Sequence, residues 1–202
     1  MKPDHILLVE GVERGLPSGR FLRLRFGTAD DEFLLHELGE SFSIHTLSEV
    51  LYQTARVPTV ERLERYLQTE FPERVTIFAW SESEQTLGRE RKPRYVGLAH
   101  YWKTDPQTAI MTLVVGDPWR GRGIGKVLFE ELVTVAKEAG VKKLQTYFSS
   151  DDVSMLRLLE RSGLRMEKPP NDQSPWEIHV GTDSNSENEQ TTRMLSERKG
   201  IR

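Results

Sequence analysis

The run AIMTLVV at 109–115 is apolar on both faces, and a strand of that kind must be covered from both sides. An open single-layer sheet is thereby excluded, and 109–115 belongs in the interior of a larger one. Downstream, Ile124, Val127, Leu128, Leu132, Val135, Ala136 and Ala139 recur at helical spacing, with Gly140 as the stop. The next stretch, 141–148, reads as a strand again. The spacing therefore predicts a right-handed βαβ unit over 109–148 whose two strands are neighbours, parallel or splayed.

Between strand and helix lies Gly116-Asp117-Pro118-Trp119-Arg120-Gly121-Arg122-Gly123-Ile124-Gly125-Lys126. Gly121, Gly123 and Gly125 remove side chains where a helix begins, at its orphan donors and positive end, so backbone N–H groups can approach a ligand closely. Arg120, Arg122 and Lys126 add positive charge there. A phosphate or pyrophosphate site is expected. The P-loop pattern would need glycine at Arg120 and a hydroxyl at Val127, and the dinucleotide pattern from Gly121 would need glycine at Lys126. Both fail on named residues. A simple chain reversal is the competing reading, but three glycines at the start of a long helix cost conformational entropy and helix propensity, which favours a ligand.

Upstream, 21–26 (FLRLRF) alternates apolar with basic, the period of a half-exposed strand. Thr28 is the expected N-cap of a helix over 29–39, with Asp30, Asp31 and Glu32 in its first turn. Further helices are expected at 47–55 and 59–69, separated by Pro58. Segments 75–80 and 95–102 are rich in β-branched and aromatic residues and predict an antiparallel hairpin around a long polar loop. After the βαβ unit come a helix at 151–161, closed by Gly163, and a last strand at 176–180. One domain over 19–180 follows, with an N-terminal extension at 1–18. The tail 181–202 has too few large apolar side chains to offset its ordering entropy and is expected to be disordered.

Composition narrows the chemistry. Without cysteine there are no disulfides, thiolate metal sites or cysteine nucleophiles, and His5, His36, His45, His100 and His179 show no HxH or HExxH spacing, so no metal is expected. A net charge of -3 carries no global footprint of a nucleic-acid binder, so any polyanion site must be local. No apolar run approaches the ~18 to 20 residues of a membrane helix, and the start lacks a signal-peptide layout. A cytoplasmic protein with neither membrane nor nucleic-acid partner is expected.

Arg120, Gly123 and Gly125 fit R-x-x-G-x-G, and here the chain resembles the GNAT superfamily of acetyl-CoA-dependent N-acetyltransferases. The order of elements from about 21 to 180 matches that fold, and 149–164 (SSDDVSMLRLLERSGL) looks like the family's second signature. Residues 16–20 before the first strand, the helical insert and Ser154 to Arg157 look like the GNAT domains of bacterial protein lysine acetyltransferases. The resemblance implies an α/β (α+β) fold with a mixed central sheet, splayed parallel strands and flanking helices. It also implies that Arg120, Gly121, Arg122, Gly123, Ile124, Gly125 and Lys126 bind the coenzyme pyrophosphate, largely through backbone N–H groups. The main chain of Leu113, Val114 and Val115 would pair with the pantetheine arm as an added strand. Asp152 stands where the family usually has asparagine, and Leu159 where it often has tyrosine; core packing on an apolar helix face accounts for Leu159.

Acyl transfer to a lysine amine, pKa ~10.4, needs a route for its proton. Related lysine acetyltransferases often place a glutamate on the strand before the loop, but Ile110 occupies that position and 109–115 holds no acid. His100 is the leading candidate base because its ordinary pKa near 6.5 suits proton abstraction. A purely structural role between Leu98 and Trp102 competes with that, and Tyr147, Glu177 and His179 follow as candidates. The expected function is transfer of an acetyl group from acetyl-CoA, as co-substrate, to a primary amine of a small molecule or a protein lysine, by a monomer or homodimer. The alternative is a coenzyme A binding module that senses or scaffolds without catalysis.

Overall fold

A computed structural model describes residues 4–31, 37–46, 68–81, 85–86, 89–90, 94–149, 152–171 and 174–181. The chain opens with α1 (Asp4–Glu10), β1 (Val12–Gly15) and β2 (Phe21–Phe26). After the insert come β3 (Arg74–Ser81), the short strands β4 (Gln85–Thr86) and β5 (Arg89–Glu90), β6 (Tyr95–Lys103) and β7 (Thr108–Val115). Helix α2 (Ile124–Glu138), β8 (Lys143–Thr146), α3 (Val153–Arg161), β9 (Arg165–Glu167) and β10 (Trp176–His179) complete the described elements.

Eight strands form one sheet in the order β1-β2-β3-β6-β7-β8-β10-β9. Every pairing is antiparallel except β7 with β8. The apolar run at 109–115 is interior, as its two-sided hydrophobicity requires. Alternation along the strands divides the packing. Ala99, Tyr101, Met111 and Leu113 join the main core with α2, while Phe78, Leu98 and Val114 on the opposite face form a smaller cluster with Leu38.

Helix α2 follows its predicted stripe and ends as expected. Gly140 takes φ 78°, its N–H reaching Lys137 C=O at 3.0 Å while Val141 N–H reaches Ala136 C=O at 2.9 Å, the paired bonds of a Schellman stop. Lys103 Nζ adds a cation on Ala139 C=O at 2.7 Å.

The expected extension at 1–18 supplies α1, with Leu8 fully buried in the main core, and the edge strand β1. On that strand Arg14 pairs with Glu131, a buried carboxylate of α2. Thr28 stands where the cap was expected, immediately before the turn at 29–31 and with its C=O accepting Asp31 N–H at 3.1 Å, but its hydroxyl donates rather than accepts. Its N–H and hydroxyl both donate to Asp31 Oδ2, at 2.7 and 2.9 Å, and Arg25 closes on both oxygens of the same carboxylate. Burial would raise the Asp31 pKa, but these donors hold it below the usual carboxylate range. Residues 29–31 form a single 3-10 turn, and the rest of the expected 29–39 helix up to 36 lies outside the described residues. So do the expected helix at 47–55, the expected helix at 59–69 as far as 67, and the tail from 182 onward. None of the described helices is long and apolar enough to cross a membrane.

Candidate functional site

The glycine-rich loop leaves β7 through a 3-10 turn at Asp117–Trp119 and enters α2 with Gly123 as N-cap. Gly121 and Gly123 take φ 73° and 88°, values L side chains rarely adopt, so the chain can turn its N–H groups outward here. Val127 N–H is the first to find a helical acceptor, on Gly123 C=O at 3.2 Å. The N–H groups from Gly121 to Lys126 have no acceptor among the described residues. A row of free donors at a positive helix end is a cradle for an anion. Ile124 contributes only main chain, since its side chain is buried. A Cβ at Gly125 would meet nothing nearer than Val115 Cγ2 at 3.7 Å, whereas one at Gly123 would lie 2.9 Å from Pro17 Cδ in the β1–β2 turn.

Beside the cradle the sheet opens. β8 pairs with β7 only at Thr108↔Lys143, Ala109↔Leu144 and Ile110↔Gln145, and then ends at Thr146 while β7 continues to Val115. Gly116 N–H donates to Val96 C=O at 2.9 Å, which fixes the parity of the strand. Even-numbered residues of β7 hydrogen-bond toward β6, Met111 N–H closes the last β7–β8 pair at Ile110↔Gln145, and the N–H and C=O groups of Leu113 and Val115 face the gap. The expected role of Val114 is corrected accordingly: its main chain is directed to Leu98 across the β6–β7 ladder. Arg120 Nε approaches Val115 C=O at 3.3 Å and Asp117 Oδ1 at 3.2 Å, so this arginine braces the lip of the gap. Asp117 also accepts from Ser43 N–H and Thr46 Oγ1 of the insert. Burial opposes its ionisation, but these donors and the Arg120 charge hold its pKa below the ordinary value.

Loop and gap share one cleft of about 2280 Å³. Among the described residues its walls carry Arg20, Arg94, Arg120, Arg122, Lys126, Lys137, Arg157 and Arg161 against Glu130 and Asp152. Lys126 lies 3.5 Å from Glu130, but Arg122, Arg157 and Arg161 have no ionic partner among the described residues. In a chain of net charge -3, this concentration of cations is local, as any polyanion site was expected to be. Asp152 borders the cleft as the N-cap of α3, accepting from Met155 N–H at 3.0 Å. Arg157 and Arg161, one turn apart on α3, were not singled out from sequence; their i, i+4 spacing was the available signal.

The structure corrects the leading candidate for the base. His100 is buried, on the face opposite α2, with Nδ1 2.8 Å from Thr76 Oγ1. Burial, helped by the Arg74 charge, pushes its pKa down to about 3. A weakly basic imidazole without solvent access fits the structural role instead. Glu177 is engaged by Lys143 at 2.8 Å and Gln145 at 2.8 Å, and His179 by Glu167 at 2.9 Å, all away from the cleft. Tyr147 follows the end of β8 and is half-buried. Leu159 is fully buried in the core, as its packing role required.

Comparison with known proteins agrees with this geometry. The profile of the acetyltransferase (GNAT) family matches residues 49–164. Acetyltransferase Pat of Mycolicibacterium smegmatis is 30% identical over 120 residues, covering 57% of this chain and 34% of that protein, so the chain spans about a third of its curated relative. Among solved structures, the GNAT domain of S. lividans PAT superposes with a TM-score of 0.66 at 19% identity, covering 83% of this chain and 94% of that one. A cAMP-binding acyltransferase from Mycobacterium smegmatis gives 0.54 at 19% identity, covering 87% and 48%. These likenesses establish the mixed sheet with its splayed parallel pair as a GNAT fold.

Proposed function

The chain belongs to the acetyltransferase (GNAT) family, and from that premise we propose that it moves an acetyl group from acetyl-CoA to a primary amine, of a small molecule or a protein lysine. The observation that carries this reading is the row of unpartnered N–H groups from Gly121 to Lys126 at the mouth of the β7–β8 gap, in a cleft where cations far outnumber acids. Those features fit acetyl-CoA in two respects. The cradle suits a pyrophosphate, and the gap-facing groups of Leu113 suit an extended amide-bearing arm joined as an added strand.

Bound acetyl-CoA supplies an activated thioester carbon. The protein's part is to hold that carbon in the gap, to direct N–H groups of β7 at the oxygen where charge develops, and to bring the amine alongside. With His100 buried and no acid on β7, the amine proton leaves through water. The likeness to Acetyltransferase Pat supports a protein lysine as acceptor.

A thermal melt and a free-thiol assay test this together. Coenzyme A and acetyl-CoA should raise the melting temperature well above any effect of ATP, because a ligand held only by the native state stabilises it. Thiol should be released with at least one member of an acceptor panel of small amines, lysine peptides and proteins. Equal shifts with ATP and coenzyme A would reject the coenzyme site, and binding without turnover on any acceptor would reject the enzyme.

A further inference from the structure

The cleft extends well beyond the glycine-rich cradle. Toward β2 and β6 it takes in Arg20 and Arg94. Along α2 it runs from Lys126 to Lys137, about 16 Å of helix, of which a pyrophosphate on the cradle needs only the first turn. There Phe129 and Val133 of α2 and Leu158 of α3 give it an apolar wall. Ser154, Arg157, Leu158 and Arg161 line it at i, i+3, i+4 and i+7, one face of α3, while Leu159 turns into the core.

Arg157 and Arg161 are both exposed, and neither has an ionic partner among the described residues. Like charges at i, i+4 work against the helix that carries them, and an anion held between the two removes that repulsion. In the acetyltransferase reading the cradle takes the coenzyme's pyrophosphate and the β7–β8 gap its pantetheine arm. The arm that remains is an adenosine with a phosphate on its 3′ oxygen, a flat ring beside a group of charge about −1.5 to −2. An apolar wall next to two unpaired guanidinium groups matches that combination. Arg20 and Arg94 match it less well: they precede two different strands, and Arg20 is already engaged within the chain.

We propose that Arg157 and Arg161 together hold the 3′-phosphate of the coenzyme and make the protein selective for coenzyme A over its 3′-dephospho form, an inference that rests on the acetyltransferase reading above. Guanidinium groups one turn apart can donate to different oxygens of a single phosphate, and charge-assisted bonds of this kind are stronger than those between neutral groups.

The test is calorimetry on the full chain with coenzyme A and 3′-dephospho-coenzyme A, comparing wild type, Arg157→Gln, Arg161→Gln, the double variant and Arg94→Gln. The wild type should prefer coenzyme A by about tenfold or more, and the preference should shrink as salt is added. Each single variant should lose part of it. The double variant should bind both ligands alike, with an affinity for the dephospho form within about threefold of wild type, and should melt like wild type because both side chains are exposed. Arg94→Gln should keep the preference. A wild type that binds both forms equally, or a double variant that weakens both by the same factor, overturns the inference, the latter by assigning the arginines to the pyrophosphate. Loss of the preference in Arg94→Gln but not in the double variant overturns it too, by placing the phosphate toward β2 and β6. In each of these outcomes coenzyme A still binds and the acetyltransferase reading stands. A wild type that binds neither form overturns that reading and the inference with it.

Discussion

At position 125 a side chain has room in the protein but none beside a bound anion. Gly125 has no positive φ and only an ordinary contact to Val115, and it sits in the first turn of α2, where an acid suits the helix dipole. Gly125→Asp should therefore keep its melting temperature and lose coenzyme A binding in calorimetry, because the new carboxylate occupies the place of the phosphate and repels it. Unchanged affinity would reduce the loop to a turn. Gly123→Asp is the poorer probe, since φ 88° and the Pro17 contact would strain the fold as well. The same distinction explains what local sequence could and could not reveal. Three glycines among cations announce an anion site because that chemistry is local. The fate of His100 was not readable, because it depends on Thr76 across a strand pair and on burial of the opposite face. Its lowered pKa makes a second prediction. Unfolded, the imidazole titrates near 6.5; folded, near 3, so between those values the unfolded chain binds more protons and stability falls with falling pH, by at most about 1.4 kcal/mol per unit. His100→Gln should flatten that window of the stability profile, lower the melting temperature at pH 7, and leave kcat/KM within a few-fold. A loss of about a hundredfold, with disappearance of an acid limb near pH 6.5, would restore His100 as the base.

Among the elements, α3 best separates a structural from a binding role. Its first turn is capped by Asp152, whose oxygen accepts Met155 N–H, and the same carboxylate places negative charge on a cleft otherwise walled by arginine and lysine. Asparagine caps a helix about as well and carries no charge. Asp152→Asn should thus melt like wild type and bind coenzyme A equally or a few-fold more tightly. Asp152→Ala should lose about 1 kcal/mol through the missing cap. A marked drop in coenzyme affinity in Asp152→Asn would show that the carboxylate contacts the ligand favourably instead. The β7–β8 gap illustrates the limit of reading elements from sequence. The apolar run and the helix after it predicted two neighbours, parallel or splayed, and they pair for three residues before they part. Which main-chain groups face the gap is set by register, through Gly116 N–H on Val96 C=O, and no pattern within β7 itself distinguishes Leu113 from Val114.

For the whole molecule, the two ends of the described chain differ in a way that composition only half conveys. Residues 182–202 lie outside the described residues, and only their composition bears on the expected tail. The first residues could not be assigned to the sheet, because VERG at 12–15 carries two charges in four positions and α1 is a single short helix, so both acquire their stability from contacts made across the fold. Leu8 is fully buried among main-core residues, and Arg14 is the partner of the buried Glu131. Leu8→Ala should accordingly cost about 2 to 5 kcal/mol. In a chain of this size that lowers the melting temperature by roughly 4 to 20 °C. Truncation after Gly181 retains the last anchoring bonds, Val180 and Gly181 N–H on Lys142 C=O at 2.9 and 3.3 Å, and should leave melting and coenzyme binding unchanged. The comparison is made by calorimetric melts of both variants with and without coenzyme A. If truncation lowers the melting temperature by several degrees while Leu8→Ala does not, the order of importance of the two ends is reversed, and residues 182–202 pack on the domain.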